Sequence, residues 1–391
     1  MNFTAGYAII KKTVRLTVLN ITRLKLSNFR NYESESIELS PGLNVITGEN
    51  AQGKTNLLEA VFFCTFARSH RTASDGRLIR HGAPAFYIGV DLKSGTGTSR
   101  IEVKNPSDGP RRLFVNGSQL RRVGDLMGTL NSVMFAPETL NIVKGPPAER
   151  RRFIDMALSQ LYPAYFFSLQ QYNAALKQRN ALLKDRKLSL DMDRLLMWDV
   201  QLAALGADIM ERRARFMEGL SGEAARIHSV ISGGERLRLE YVPSVKPDPD
   251  AEQAIRGALK AGACEDARRG FTGIGPHRDD IAVIVDETDA RCFGSQGQQR
   301  TAALSMKLSE IAVALSARGE PPVLLLDDVF SELDSGRRRA LLDAAEGCQC
   351  LLTCTSLEGL EGKRFAAYDC RSGSIRQRGA DTAMPAGKSD L

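Results

Sequence analysis

Apolar and polar residues alternate through Ile21-Thr22-Arg23-Leu24-Lys25-Leu26-Ser27-Asn28-Phe29. A period of two predicts a half-buried strand. Residues 35–39 predict the return strand, and Pro41-Gly42 turns the chain into Leu43-Asn44-Val45-Ile46-Thr47. That β-branched run suits a buried strand. After a glycine-rich break, residues 56–63 change to a texture that suits a helix, expected to end near Ala67. Segments 86–92, 99–103 and 112–115 predict short strands, and Asn116-Gly117 is a hairpin signal. Residues 21 to about 125 therefore read as a β-rich lobe around one central helix.

Helical spacing then takes over. Residues 149–161 and 165–183 predict two helices separated by Pro163. Phe166, Leu169, Asn173, Leu176, Asn180 and Leu183 fall on one side of the second. Leu195, Trp198, Leu202, Leu205, Ile209, Phe216 and Leu220 mark another long helix. Strand texture returns at 237–242, a short helix is expected over 251–263, and a strand over 281–285. Residues 298–316 predict a helix with Leu304, Leu308, Ile311 and Leu315 on one face.

The break after the buried strand reads Gly48-Glu49-Asn50-Ala51-Gln52-Gly53-Lys54-Thr55, the G-x-x-x-x-G-K-T of a P-loop. Strand, glycine loop and helix are the context this motif needs. The glycines let backbone amides converge on one cavity, and the helix N-terminus adds partial positive charge. Lys54 is expected to reach the β- and γ-phosphates of ATP, and the Thr55 hydroxyl to ligate Mg²⁺. A P-loop also needs an acidic partner. Val323-Leu324-Leu325-Leu326-Asp327-Asp328 has the Walker B form, an apolar strand ending in carboxylates, and is expected beside the P-loop strand. Asp327 is placed to hold Mg²⁺ and Asp328 to polarise an attacking water.

Just upstream, Phe293-Gly294-Ser295-Gln296-Gly297-Gln298-Gln299 resembles the S-G-G-Q signature of ABC-type ATPases, with Gln296 replacing its first glycine. Ser295, Gly297 and Gln298 at a helix start offer an anion site. Ile231-Ser232-Gly233-Gly234-Glu235 looks similar, but a strand pattern follows it, so it reads as a turn. Ser331-Glu332-Leu333-Asp334 has D-loop spacing. The apolar strand 350–355 ends at Thr355, where transport ATPases of this type carry a histidine. Arg68 and Arg71, after the P-loop helix, read either as nucleotide- or DNA-coupling groups or as a solvated basic turn.

Composition narrows the partners. The 391 residues carry a formal net charge of +7, so an acidic partner such as nucleic acid fits an NTPase of this balance. Residues 144–238 hold 16 Lys and Arg against 11 Asp and Glu, so much of the excess sits in the helical arm. That arm reads equally as solvated helix faces or as a nucleic-acid or partner surface. The seven cysteines are odd in number and match no zinc spacing, which reads as reduced thiols in a cytoplasmic protein. No apolar run has the length of a transmembrane helix. Residues 1–20 lack the apolar core of a signal peptide and read as a disordered extension or an upstream start. The polar residues 379–391 read as a flexible tail.

Together these motifs resemble the RecF family of SMC-like, ABC-type ATPases. The resemblance rests on Leu26-Ser27-Asn28-Phe29-Arg30-Asn31-Tyr32, the P-loop, Phe66-Ala67-Arg68-Ser69-His70-Arg71, Gly275-Pro276-His277-Arg278-Asp279-Asp280, the signature and the Walker B region. It implies an α/β fold: an ABC-type ATPase head, with a mixed sheet around the P-loop helix and a β-rich lobe, and an inserted helical arm. The expected division is 21–135 and 241–378 for the two halves of the head, with the arm at 136–240. The resemblance also implies a weak, DNA-stimulated ATPase of recombinational repair. It would dimerise on ATP, with Ser295, Gly297 and Gln298 serving the opposite protomer. It would act at double-stranded and gapped DNA with RecR and RecO. Another SMC-like or ABC-type ATPase with a different cargo stands as the alternative.

Overall fold

The computed structural model describes residues 18–184, 192–246 and 248–378. The extension expected over 1–20 lies outside the described residues as far as residue 17, and the expected tail 379–391 lies outside them entirely. In chain order the elements are β1 (Asn20–Phe29), β2 (Tyr32–Glu38), β3 (Leu43–Thr47), α1 (Lys54–Phe66), β4 (Ala85–Ser94), β5 (Gly97–Pro106), β6 (Arg112–Val115), β7 (Ser118–Gln119) and β8 (Ser132–Phe135). Then come α2 (Pro147–Leu161), α3 (Pro163–Lys184), α4 (Met192–Ser232), β9 (Leu237–Val242), α5 (Ala251–Arg269), β10 (Asp280–Val285) and β11 (Thr288–Asp289). The chain closes with α6 (Gln296–Arg318), β12 (Val323–Asp327), α7 (Ser335–Ala345), β13 (Cys350–Cys354), β14 (Ala366–Arg371) and β15 (Ser374–Gln377). No helix among the described residues is long and apolar enough to cross a membrane.

Two compact units result. The first joins the described residues up to Thr139 with those from Lys307 onward. It contains an antiparallel sheet ordered β2-β1-β4-β5-β6-β7 and a second sheet ordered β15-β14-β3-β13-β12-β8. In the second, β14, β3, β13, β12 and β8 run parallel and β15 pairs antiparallel at the edge. Parallel strands buried on both faces read as continuous apolar runs, which is why β12 and β13 are buried throughout. The Walker B strand β12 is not next to β3 as expected: β13 lies between them.

Helix α1 touches strands of both sheets. It therefore has no solvent face, and eleven of its thirteen residues are buried. A helix apolar all round belongs in a core, and each fully buried Phe or Leu contributes about 1.5–3 kcal/mol. Phe29 and Phe63 both meet Phe86 edge-to-face, with centroids 5.4 and 5.8 Å apart. Asn116 and Gly117 are both left-handed (φ 51° and 78°), as a tight two-residue hairpin between β6 and β7 requires.

The second unit spans 140–306. It takes in β9, α5 and β10 and so runs well past residue 240. Helix α4 has 41 residues, about 60 Å of helix. The turn at 233–234 ends it before β9, and both glycines there have positive φ. On α3 the buried positions are Tyr165, Tyr172, Ala175, Arg179 and Leu183. The expected face is corrected: Phe166, Leu169 and Leu176 are half-buried and Asn173 is exposed. A buried arginine is the reason. Arg179 bonds Asp199 and Asp266 at 2.6 Å each, so a charge occupies a core position that hydrophobic periodicity cannot reveal.

A larger polar hub explains Gly275-Pro276-His277-Arg278-Asp279-Asp280. Arg213 donates to Asp155 (2.8 Å), Asp279 (3.2 Å), Tyr165 (3.0 Å) and the Pro276 carbonyl (2.7 Å). Arg150 forms a two-pronged pair with Asp280 at 2.6 and 3.0 Å. A Cβ at Gly275 would lie 2.2 Å from the Tyr172 hydroxyl. His277 lies 3.0 Å from the Thr272 carbonyl through Nε2 and 2.7 Å from that hydroxyl through Nδ1. A carbonyl only accepts, so Nε2 carries the proton and Nδ1 accepts from Tyr172.

Removing Arg213 would strand Asp279 in the interior. Arg213→Met should cost about 3–5 kcal/mol, read as a lowered urea midpoint. Burial pushes the His277 imidazole down to about 4, below the ordinary value near 6.5. The fold thus favours the neutral ring. Its contribution is complete above about pH 6.5 and is lost as pH falls toward 4. Urea midpoints measured across that window should fall more steeply in the parent than in His277→Gln.

Candidate functional site

Strand β3 delivers the chain into the loop 48–53, and α1 carries it away. The loop is pressed against its neighbours. A Cβ at Gly48 would come within 2.4 Å of the Cys370 carbonyl, and one at Gly53 (φ 116°) within 2.6 Å of the Asn31 amide. Ala51 is left-handed without being glycine (φ 65°), a strain typical of ligand loops. The Lys54 ammonium is buried and arches back over the loop, donating to the carbonyls of Gly48 (2.5 Å) and Glu49 (2.9 Å). Glu49 and Asn50 are exposed at the loop's rim.

The back of the loop is held from two sides. Tyr32 donates to the Gly53 carbonyl at 2.9 Å, and Asn31 to the Gln52 carbonyl at 2.8 Å. From the β14–β15 turn, the Gly373 amide donates to the same Gln52 carbonyl (3.1 Å), and the Ser372 amide to the Gln52 side chain (2.6 Å).

The acidic half comes from β12. Thr55 Oγ1 donates to Asp327 Oδ1 at 2.9 Å across 272 residues of chain. Thr353, at the end of β13, also donates to Asp327 Oδ1 at 2.9 Å and accepts the Asp328 amide at 3.0 Å. Burial pushes the Asp327 carboxyl above the ordinary aspartate range, opposed by the Thr353 and Thr55 hydroxyls and by the charge of Arg71. A buried anion that its surroundings compensate incompletely favours a cation beside it. The hydroxyl and carboxylate are hard oxygen donors of the kind magnesium takes. Asp328 is left-handed (φ 49°) and half-buried, so the chain turns sharply as it leaves the strand. Ser331 donates to its carbonyl at 2.6 Å, and Asp334 caps α7 through the Arg337 amide.

Arg71 donates to Asn56 Oδ1 at 2.9 Å and lies 3.8 Å from Glu59. Buried Glu59 bonds Arg30 through both oxygens at 2.8 and 2.9 Å. Burial disfavours its charge, but Arg30 and Ser69 outweigh that and hold it below the ordinary glutamate range. Arg68 is exposed.

In the second unit, Ser295 and Gln298 form a reciprocal capping box at the start of α6. Gln298 N–H donates to Ser295 Oγ (3.1 Å), and Ser295 N–H to Gln298 Oε1 (3.0 Å). Ser295 and Gly297 are exposed. Gln298 also donates to Glu235 at 3.1 Å, so the signature-like turn 231–235 supports this cap.

Sequence reasoning put Gly48 to Thr55 with Asp327 and Asp328, and the structure brings these together. It did not single out Thr353. Thr355 is exposed just past the strand, whereas Thr353 is buried and touches both acidic residues. The only signal available was a hydroxyl inside an otherwise apolar run.

A family profile described as an AAA domain matches residues 23–203. DNA replication and repair protein RecF of Clostridium perfringens is 42% identical over 341 residues, 87% of this chain and 94% of that one. The protein of the same name from Acetivibrio thermocellus is 43% identical over 353 residues, covering 88% and 95%. Among solved structures, the recombination mediator protein RecF with ATP, of the RecFOR pathway, superposes with a TM-score of 0.87 at 34% identity, covering 94% of this chain and 99% of that chain. An Smc head domain from Pyrococcus furiosus shares the fold at TM-score 0.56 and 16% identity, covering 94% and 97%. On the extent of these matches, the chain belongs to the RecF family of DNA replication and repair proteins.

Proposed function

We propose that this protein is an ATP-binding, ATP-hydrolysing switch in DNA replication and recombinational repair. The observation that carries the reading is the Thr55–Asp327 contact of 2.9 Å, which unites the two halves of a P-loop site. The RecF structure with ATP supports the choice of nucleotide.

Each residue has a role in this reading. The amides of Gly48, Glu49, Asn50, Ala51, Gln52, Gly53, Lys54 and Thr55 line the phosphate cradle, with the dipole of α1 behind them. Lys54 exchanges its two loop carbonyls for phosphate oxygens. Thr55 and Asp327 would hold Mg²⁺, which would supply positive charge against the phosphates. Asp328 orients an attacking water and takes its proton. An aspartate reaches less far than a glutamate there, in keeping with slow turnover. Thr353 fixes both acidic residues by bonding Asp327 Oδ1 and the Asp328 amide. Of Arg68 and Arg71, Arg71 is the better placed to face the nucleotide, because its charge already reaches Asp327. Asp334 and Thr355 are assigned to coupling between nucleotide and DNA.

The signature belongs to a second copy in this reading. Ser295, Gly297 and Gln298 present a capped, exposed helix start that serves the opposite protomer, so ATP becomes part of a dimer interface. The partners are double-stranded and gapped DNA together with RecR and RecO, in the cytoplasm, and DNA stimulates hydrolysis.

Three substitutions separate the roles within the cradle. Lys54→Ala should abolish tight ATP binding. Asp327→Asn should weaken binding of Mg²⁺-ATP, while Asp328→Asn should keep ATP bound and slow hydrolysis by about 10²-fold. Equilibrium titration and steady-state turnover read these outcomes, and parental rates in both aspartate variants would remove the acidic half of the site.

The dimer has its own test. Ser295→Arg should leave nucleotide affinity near parental while abolishing the ATP-dependent increase in sedimentation coefficient. Continued ATP-driven dimerisation by this variant would refute a signature acting in trans.

A further inference from the structure

Two asparagines outside the motif roles connect Arg71 to the P-loop. Asn31 Nδ2 donates to the Gln52 carbonyl at 2.8 Å. Asn56 Nδ2 donates to Asn31 Oδ1 at 2.8 Å, and Arg71 Nη1 donates to Asn56 Oδ1 at 2.9 Å. The chain runs unbroken from a loop carbonyl to the guanidinium.

Its direction is forced from the loop end. A backbone carbonyl only accepts, so Asn31 must present its NH₂ to Gln52. That leaves Asn31 Oδ1 facing Asn56, which must answer with its own NH₂. Asn56 Oδ1 is then left for Arg71, a group with donors only. Flipping either amide would set donor against donor or acceptor against acceptor. Asn31 is also fixed in place. A Cβ at Gly53 would meet its side-chain amide nitrogen at 2.6 Å, and one at Gly373 would meet its backbone carbonyl at 2.5 Å.

The Arg71 backbone is anchored separately. Its amide donates to Ser69 Oγ at 2.9 Å, and Ser69 bonds buried Glu59. The guanidinium is 45% exposed and lies 3.8 Å from Glu59, too far for a hydrogen bond. The Asn56 carbonyl is therefore what sets its direction.

We propose that Asn31 and Asn56 are positioning residues, a relay that aims the Arg71 guanidinium and ties its setting to the 52–53 peptide of the P-loop. The proposal rests on the reading of Arg71 as nucleotide-facing. Any rotation of that peptide on phosphate entry moves the acceptor at the base of the relay, so loop occupancy and Arg71 orientation change together.

A double-mutant cycle tests it, with the affinity for a fluorescent ATP analogue as the readout and turnover measured in parallel. Arg71→Ala and Asn56→Ala should each weaken binding by about tenfold, the scale of a misaimed contact. The double variant should bind no more weakly than Arg71→Ala alone, because the relay acts only through that arginine. Asn56→Ser, with thermal unfolding midpoints for every protein, guards against a folding defect. Parental affinity in Arg71→Ala would overturn the reading of Arg71 and the relay with it. Impaired Arg71→Ala beside parental Asn56→Ala, or additive losses in the double variant, would overturn the relay alone.

Discussion

The contact between Thr55 and Asp327 is the constraint on which the head depends. Its two residues come from the two separate chain segments of the first unit, 272 residues apart, and their oxygens lie 2.9 Å from each other. To hold it, β3 and β12 must run the same way and end level. Parallel strands cannot be joined by a tight turn, so the chain has to leave the sheet and return. Residues 140–306 form the second compact unit within that excursion. Insertion is thus compatible with the Thr55–Asp327 contact as long as the sheet closes, because that contact needs only the ends of β3 and β12 and the first turn of α1 to stay in register.

β13 stands between the two motif strands and steadies the acidic one. The Thr353 hydroxyl donates to Asp327 and accepts from the amide of Asp328. The left-handed Asp328 is then held by a side chain rather than by a regular ladder bond. Strain at that residue persists because the neighbouring strand over-determines it.

What could be read from the chain alone follows from how local each signal is. The P-loop and Val323 to Asp328 were legible because their chemistry lies in consecutive residues flanked by the right elements. The β-rich lobe, α1 and the body of α6 were legible from periodicity, whereas the reciprocal Ser295–Gln298 cap at the start of α6 emerged only from the structure. Thr353 was not, because its partner sits across a strand pairing. The buried stripe of α3 was misplaced because Arg179 takes a core position, and only the three-dimensional placement of Asp199 and Asp266 makes that tolerable. The extent of the second unit past residue 240 was equally hidden. It follows from Arg150 and Arg213 reaching Asp279 and Asp280, contacts that span 66 to 130 residues.

The same contrast separates the two kinds of buried charge in this protein. In the second unit, Arg213, Arg179 and Arg150 each pair with buried or half-buried carboxylates, so these residues hold architecture. In the head, Asp327 is buried among hydroxyls, and among the described residues no hydrogen-bonded cation answers it: Thr55 and Thr353 donate, while Arg71 acts only through space. Burial raises its carboxyl accordingly. A fold optimised only for stability would complete that pair or remove it. Leaving the carboxylate short of positive charge, bonded to a hydroxyl at the start of the P-loop helix, stores the electrostatic deficit at the place where a phosphate-bound cation would relieve it. That deficit distinguishes a site from a scaffold, and it is the physical basis for reading the P-loop of this chain as working machinery.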